Sequence, residues 1–284
     1  MRARRMKPMR IAIFHETVYR YETPAYGVIQ SLHLTPRNHD GQSVLDWRID
    51  ASENCQLQQQ VDAFGNIAHV LTAEEALSEL RVLVEGEVET QDTGGVVSGA
   101  LERFPHSFYL RDTPLTEADA AITSFARAAV ARAGDDQLKA LHLLLEQAHD
   151  ELAYEAGTTQ ATTSAAEAFA IKRGVCQDLT HIFIAAARSL GIPARYVGGH
   201  LRHADDSDDQ EAGHAWAEAY VPALGWVAFD VANGVCATEA HVRVAVGLDY
   251  LGAAPVRGSR YGGGDESMEV IVRVQNVLKG ASAR

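Results

Sequence analysis

The stretch Arg173-Gly174-Val175-Cys176-Gln177-Asp178-Leu179-Thr180-His181 places a thiol where loop-like sequence gives way to an apolar helix. From Cys176 onward, Leu179, Ile182, Phe183, Ala186 and Leu190 recur at helical spacing, and Gly191-Ile192-Pro193 stops the run. The free N–H groups at a helix start carry partial positive charge, which favours thiolate over thiol and can receive an oxyanion. Gly174 lets the backbone approach closely here, and Asp178 reads as a first-turn carboxylate that satisfies the helix end.

Downstream, His214 opens the run His214-Ala215-Trp216-Ala217-Glu218-Ala219-Tyr220, and Asp230 closes Gly225-Trp226-Val227-Ala228-Phe229-Asp230. These read as two strands flanking the turn Pro222-Ala223-Leu224-Gly225. Period-two alternation puts His214, Trp216, Glu218 and Tyr220 on one face. A register with Trp216 opposite Asp230 sets the carboxylate diagonal to His214; a one-residue slip sends it to the far side. Taken singly, a helix cysteine, a strand histidine and a strand-end aspartate each have a plain structural explanation. Together, Cys176, His214 and Asp230 make a set for nucleophilic acyl transfer. The thiolate attacks, the imidazole moves protons and the carboxylate fixes its tautomer.

The 284 residues, 46% of them hydrophobic, suffice for one large domain or two ordinary ones. A net charge of −13 argues against a general nucleic-acid binder and is compatible with a monomer or an oligomer. The basic start, Met1 to Arg10, resembles a signal n-region, but Ile11-Ala12-Ile13-Phe14 breaks at once into His15-Glu16. Residues 1–10 therefore read as a disordered tail. No run approaches the roughly 18 apolar residues needed to cross a bilayer, so no membrane is expected and cytoplasmic residence is. Cys55, Cys176 and Cys236 form no C-x-x-C pair, which fits a reducing compartment, and Cys55 and Cys236 read as small apolar residues.

Residues 11–95 read as an N-terminal, antiparallel, sandwich-like β-domain. Its short alternating runs are Ile11–Phe14, Thr17–Tyr21, Ile29–Leu34, Val44–Ile49, Ile67–Leu71 and Leu80–Glu89. Residues 96–114 form a connector, and residues 115–284 a catalytic domain whose last strands can pack back on the β-domain. Helices are expected from about Thr116 to Ala133, Asp136 to Leu152 and Ala165 to Ile171, with strands from Ala194 and over Met268–Val274. His200 and His203, followed by Asp205, Asp206, Asp208, Asp209 and Glu211, lack the pattern of an EF-hand, and no H-E-x-x-H occurs. This segment reads as a solvated loop placed to act as a lid over His214, so no metal and no cofactor are expected. Gly262-Gly263-Gly264 reads as a turn before the last strand.

Gly174-Val175-Cys176-Gln177-Asp178, Gly191 to Tyr196, His214 to Glu218 and Gly225-Trp226 to Phe229-Asp230 together resemble the bacterial transglutaminase-like cysteine-enzyme family. The resemblance extends to His15–Tyr21 and Asp62-Ala63-Phe64-Gly65-Asn66 in the β-domain, and to His241–Tyr250 and Ala254–Gly258 near the C-terminus. It implies an α+β fold with a papain-like core, in which the cysteine-bearing helix packs on an antiparallel sheet. It further implies Cys176 as nucleophile, His214 as base and Asp230 as orienting residue, with Gly174, Gln177 and Trp216 at the substrate cleft. The expected substrate is a peptide or protein amide, converted to a thioester that passes to water or to an amine. Val231-Ala232 replaces the Pro-Thr common in relatives before Asn233-Gly234, which changes the loop after Asp230. The competing reading is a non-catalytic binding or scaffold module on the same fold.

Overall fold

Alternating apolar and polar residues drive the first third of the chain into strands. These are β1 (Met9–Thr35), β2 (Gln42–Ala51), β3 (Cys55–Val61), β4 (Ile67–Ala73) and β5 (Leu77–Thr90). The computed structural model describes residues 8–52, 54–203, 209–210 and 212–277. The three short runs expected between Ile11 and Leu34 are one continuous strand. Pro24 and Gly27 fall at breaks in its pairing, between Arg20 and Ala25 and between Tyr26 and Ile29. They bend β1 rather than end it, because a bulge absorbs the missing donor and the positive φ of Gly27. Met9 and Arg10, expected in the tail, pair instead with Thr90 and Glu89. Residues 1–7 lie outside the described residues.

The middle of the chain supplies β6 (Val96–Val97), α1 (Ala120–Ala133), α2 (Gln137–Glu151), β7 (Ala153–Tyr154), α3 (Ala165–Ile171), β8 (Arg173–Gly174) and α4 (Cys176–Ser189). Short polar side chains set the helix starts. Asp119 accepts from the Ile122 N–H, Asp136 from the Lys139 N–H, and Ser164 with Glu167 forms a reciprocal cap. Thr116, expected at the first helix start, instead accepts a hydrogen bond from Arg188 at 2.7 Å. After α4 come β9 (Ala194–Leu201), β10 (Asp209–Gln210), β11 (His214–Val221), β12 (Gly225–Asp230), β13 (Val235–Cys236), β14 (His241–Gly247), α5 (Tyr250–Ala253), β15 (Val256–Gly262) and β16 (Glu266–Asn276).

Two main sheets result. The first holds eight strands and is built on β1, which pairs with β5 and β16 along its first half and with β4 and β15 along its second. It is one curled sheet, and its two halves share a core in which Tyr19, Leu80 and Val82 meet Leu32, Leu34 and Leu71. The second sheet has the order β13-β12-β11-β9-β14, with β6 on β12.

Helix α4 lies on this second sheet. Leu179, Ile182, Phe183 and Ala186 share a core with Ala215, Ala217, Ala219, Val227 and Phe229. The three alanines of β11 leave the room that brings the helix close, and each large apolar side chain buried there contributes about 1.5–3 kcal/mol. α1, α2 and α3 contribute to the same core, so every residue from Asp178 to Arg188 is buried. The single apolar stripe expected for α4 is therefore a helix buried all round. Asn66 ties the two sheets together: its amide donates to the Val246 carbonyl and accepts from the Val246 N–H, both at 2.8 Å. Asp62 shapes that turn by accepting from Phe64 and Asn66.

Candidate active site

The helix start is built around an inward-folded carboxylate. Asp178 Oδ2 accepts the Val175 N–H at 2.8 Å and the Thr159 hydroxyl at 2.6 Å. A Cβ on Gly174 would lie 2.6 Å from this side chain, so only glycine leaves the carboxylate its place. Asp178 thus satisfies the helix end, as expected, and the N–H groups of Cys176 and Gln177 stay free of intrahelical bonds. Cys176, half-buried, sits at the first helical position.

The imidazole and carboxylate come from the neighbouring strands. β11 and β12 pair Ala217 with Phe229 and Glu218 with Ala228, which sets Trp216 opposite Asp230 one step further along. His214 Nε2 lies 2.7 Å from Asp230 Oδ2, and the His214 side chain also hydrogen-bonds Cys176. Burial works to lower the His214 pKa, but its bonds to Asp230 and Cys176 outweigh this and push it up to about 10. Asp230 is fully buried; burial alone would raise its pKa, yet the two histidines on it hold it well below the usual carboxylate range.

Sequence reasoning missed two of Asp230's partners. Asn233 donates its side-chain amide to Oδ2 at 2.7 Å and its backbone N–H to Oδ1 at 3.2 Å. His241 Nε2 lies 3.0 Å from the same Oδ2. The three-residue spacing from Asp230 to Asn233 is an Asx-type turn signal and could have been read. The chain carried no comparable signal for His241.

A cleft of about 200 Å³ opens over the thiol, lined among others by Cys176, Gln177, Tyr196, His214 and Tyr250. Of the three residues expected at the cleft, Gln177 lines it and the other two do not. Gly174 lies beneath Asp178, and Trp216 is buried behind the histidine. The Trp216 indole meets His241 edge-on with centroids 5.3 Å apart and lies tilted against His214 at 6.1 Å. Gly199 makes room for that indole, since a Cβ there would come within 2.7 Å of it. Tyr196 faces the cleft. Burial first, then the neighbouring Cys176 sulfur, pushes its hydroxyl well above the usual tyrosine range.

Residues 123–231 match the model of the transglutaminase-like superfamily, and residues 11–89 match the bacterial transglutaminase-like N-terminal region. The chain belongs to the transglutaminase-like superfamily. It is 29% identical over 279 residues to the uncharacterized protein ML0607 of Mycobacterium leprae, covering 93% of this chain and 98% of that one. It is also 29% identical over 140 residues to the uncharacterized protein Mb2599c of Mycobacterium bovis, covering 46% of this chain and 45% of that one. Among solved structures, a candidate cysteine protease from Cytophaga hutchinsonii superposes with a TM-score of 0.74 at 20% identity, over 96% of this chain and 92% of that one. That likeness shows the fold.

Three further features of this transglutaminase-like chain bear on the sequence reading. Arg195, in the segment Gly191 to Tyr196 that carries the resemblance, lies away from the cleft. It is buried, stacked on Trp226, and paired with Glu218 at 2.6 Å and with both Glu102 carboxylate oxygens at 2.7 and 2.9 Å. Arg243 completes this network on Glu218 at 2.7 Å. In the acidic loop, Asp205, Asp206, Asp208 and Glu211 lie outside the described residues, so the lid reading falls outside them too; Asp209 is in β10, paired with β16. His214, Asp230 and His241 each offer a metal-ligand atom, all within 4.8 Å of one another, but hydrogen bonds already join these atoms. Among the described residues, no helix is long and apolar enough to cross a membrane.

Proposed function

We propose that the chain catalyses thiol-dependent acyl transfer on peptide or protein amides, with Cys176 as nucleophile, His214 as proton carrier and Asp230 as its orienting anion. The carrying observation is His214 held between two partners, Asp230 Oδ2 at 2.7 Å from Nε2 and Cys176 hydrogen-bonded to the same ring. We read the seating of α4 on the antiparallel sheet as the papain-like arrangement, with the thiol at the helix start and the imidazole on a strand beside it.

The chemistry follows from these positions. The Cys176 sulfur attacks the amide carbonyl carbon and the C=O electron pair moves onto oxygen. That oxyanion lies against the free N–H groups at the start of α4, which stabilise charge as it develops. His214, protonated, gives its proton to the leaving nitrogen as the C–N bond breaks, releasing ammonia or an amine and leaving a thioester on Cys176. The neutral ring then takes a proton from an incoming water or primary amine, which attacks the thioester. The products are a carboxylate or a new amide, and the sulfur is regenerated. Asp230 stays ionised throughout and keeps Nε2 as the donor toward itself.

Competitive alkylation tests the reading. Limiting iodoacetamide should modify Cys176 well ahead of Cys55 and Cys236, both of whose thiols burial pushes up. In His214→Ala that lead should vanish. Equal rates for all three cysteines in the unaltered chain would remove the activated nucleophile and leave a binding module on this fold.

A further inference from the structure

The group on the far side of Asp230 is as ordered as the one in front of it. His241 is buried, and its ring is held at both nitrogens. The Thr238 N–H donates to Nδ1 at 3.0 Å. A nitrogen that accepts carries no proton, so in the neutral ring the proton sits on Nε2, and Nε2 lies 3.0 Å from Asp230 Oδ2. A backbone bond from His241 N to Thr238 O at 3.1 Å closes the same turn, and the edge-on Trp216 indole fixes the ring plane. The tautomer, the direction and the tilt of His241 are all set by neighbours other than Asp230.

Oδ2 of Asp230 therefore receives three donors: His214 at 2.7 Å, the Asn233 amide at 2.7 Å and His241 at 3.0 Å. Asn233 sits on the loop directly after Asp230 and moves with it. His241 opens β14, whose sheet neighbour is β9, so it anchors the carboxylate to a different part of the sheet. Both Asn233 and His241 fall beyond the segment matched to the superfamily core, which ends at residue 231.

We propose that His241 is a positioning residue: through a fixed Nε2–H it locks the Asp230 carboxylate in the one rotation that presents Oδ2 to His214. This rests on the Cys176–His214–Asp230 reading above. A carboxylate held by His214 and its own loop alone could swing with that loop. The His214 imidazolium would then lose the alignment that a charge-assisted hydrogen bond needs.

The test compares the full chain with His241→Phe, which keeps a flat ring and removes the donor, and His241→Gln, whose amide restores a donor near Nε2. Acylation of Cys176 by p-nitrophenyl acetate is followed by nitrophenolate release over a range of ester concentrations. His241→Phe should lower the limiting rate on the order of 10- to 100-fold, the scale of one hydrogen bond to a charged group, with little change in half-saturating ester. His241→Gln should recover most of that loss. Acylation of His241→Phe at the unaltered rate, or equal losses in both variants, overturns the proposal.

Should the Phe variant not fold, the Gln variant and the 15N spectrum of the unaltered chain decide. A bare Nδ1 and a protonated Nε2 on His241 are expected, and the opposite tautomer overturns the assignment. If the unaltered chain shows no acylation of Cys176, the triad reading itself fails. The 15N tautomer then still tells whether His241 grips Asp230.

Discussion

Replacing Asp230 by asparagine removes a charge while keeping nearly every atom in place. Three donors converge on Oδ2, so the asparagine oxygen must stay there, accepting from His214, Asn233 and His241. Its NH₂ then takes the Oδ1 position and meets the Asn233 N–H, donor against donor. What is lost is the buried counter-ion of the His214 imidazolium. Removing one partner of a buried ion pair costs roughly 3–5 kcal/mol, which applied to the acylation barrier slows it on the order of 10²- to 10⁴-fold.

The pH dependence moves as well. With Asp230 present, His214 stays charged up to about pH 10; without it, only the Cys176 sulfur is left to oppose burial, and the pKa of the ring falls. The alkaline limb of the acylation rate, followed by nitrophenolate release between pH 5 and 10, should shift downward. A variant with near-normal rate and an unmoved limb would refute the role given to Asp230.

Glu218 is fully buried between two guanidinium groups, so Glu218→Gln should lower the thermal midpoint on the order of 10 °C by circular dichroism. Burial opposes the charge on Glu218, but Arg243 and Arg195 hold its pKa down to about 2 against an ordinary 4.5. Its stabilisation is therefore present above pH 4.5 and lost as pH falls through about 2, and the gap to the Gln variant should close over that range. Gly174→Ala puts a Cβ 2.6 Å from Asp178; displacing that carboxylate from the Val175 N–H should cut acylation of Cys176 at least about tenfold with the fold retained by circular dichroism. Asn66→Ala leaves a buried N–H and C=O of Val246 unpaired, and should cost about 1–3 kcal/mol per group in urea unfolding.

The helix at Cys176 and the two strands bearing His214 and Asp230 were legible because each announces itself locally. A stop signal at Gly191-Ile192-Pro193 and clean alternation from His214 to Val221 need no tertiary context. The β11–β12 register was legible too, since only one parity puts Trp216 and Asp230 on a common face. The bend in β1 was not, because Pro24 and Gly27 punctuate a bulge as readily as a turn. β3 went unread because among the described residues it pairs only with β4 and is largely exposed, so Gln56-Leu57-Gln58-Gln59-Gln60 lacks the apolar alternation burial imposes. Trp216 was expected at the cleft from the family resemblance, but Gly199 opens space behind the strand and the indole fills it. His241 escaped notice because its bond to Asp230 spans a loop and depends on how β14 pairs with β9. Arg195 likewise depends on Glu102, which lies in the irregular connector.

The most direct test of the central claim is where an acyl group lands. The full chain is mixed with p-nitrophenyl acetate, quenched in acid, and read by intact mass and peptide mapping. The account predicts a single acetyl group on Cys176, released by neutral hydroxylamine as a thioester should be, and missing in Cys176→Ala and in His214→Ala. Acetyl on Cys55, Cys236 or a lysine in place of Cys176, or labelling undiminished in Cys176→Ala, would contradict it.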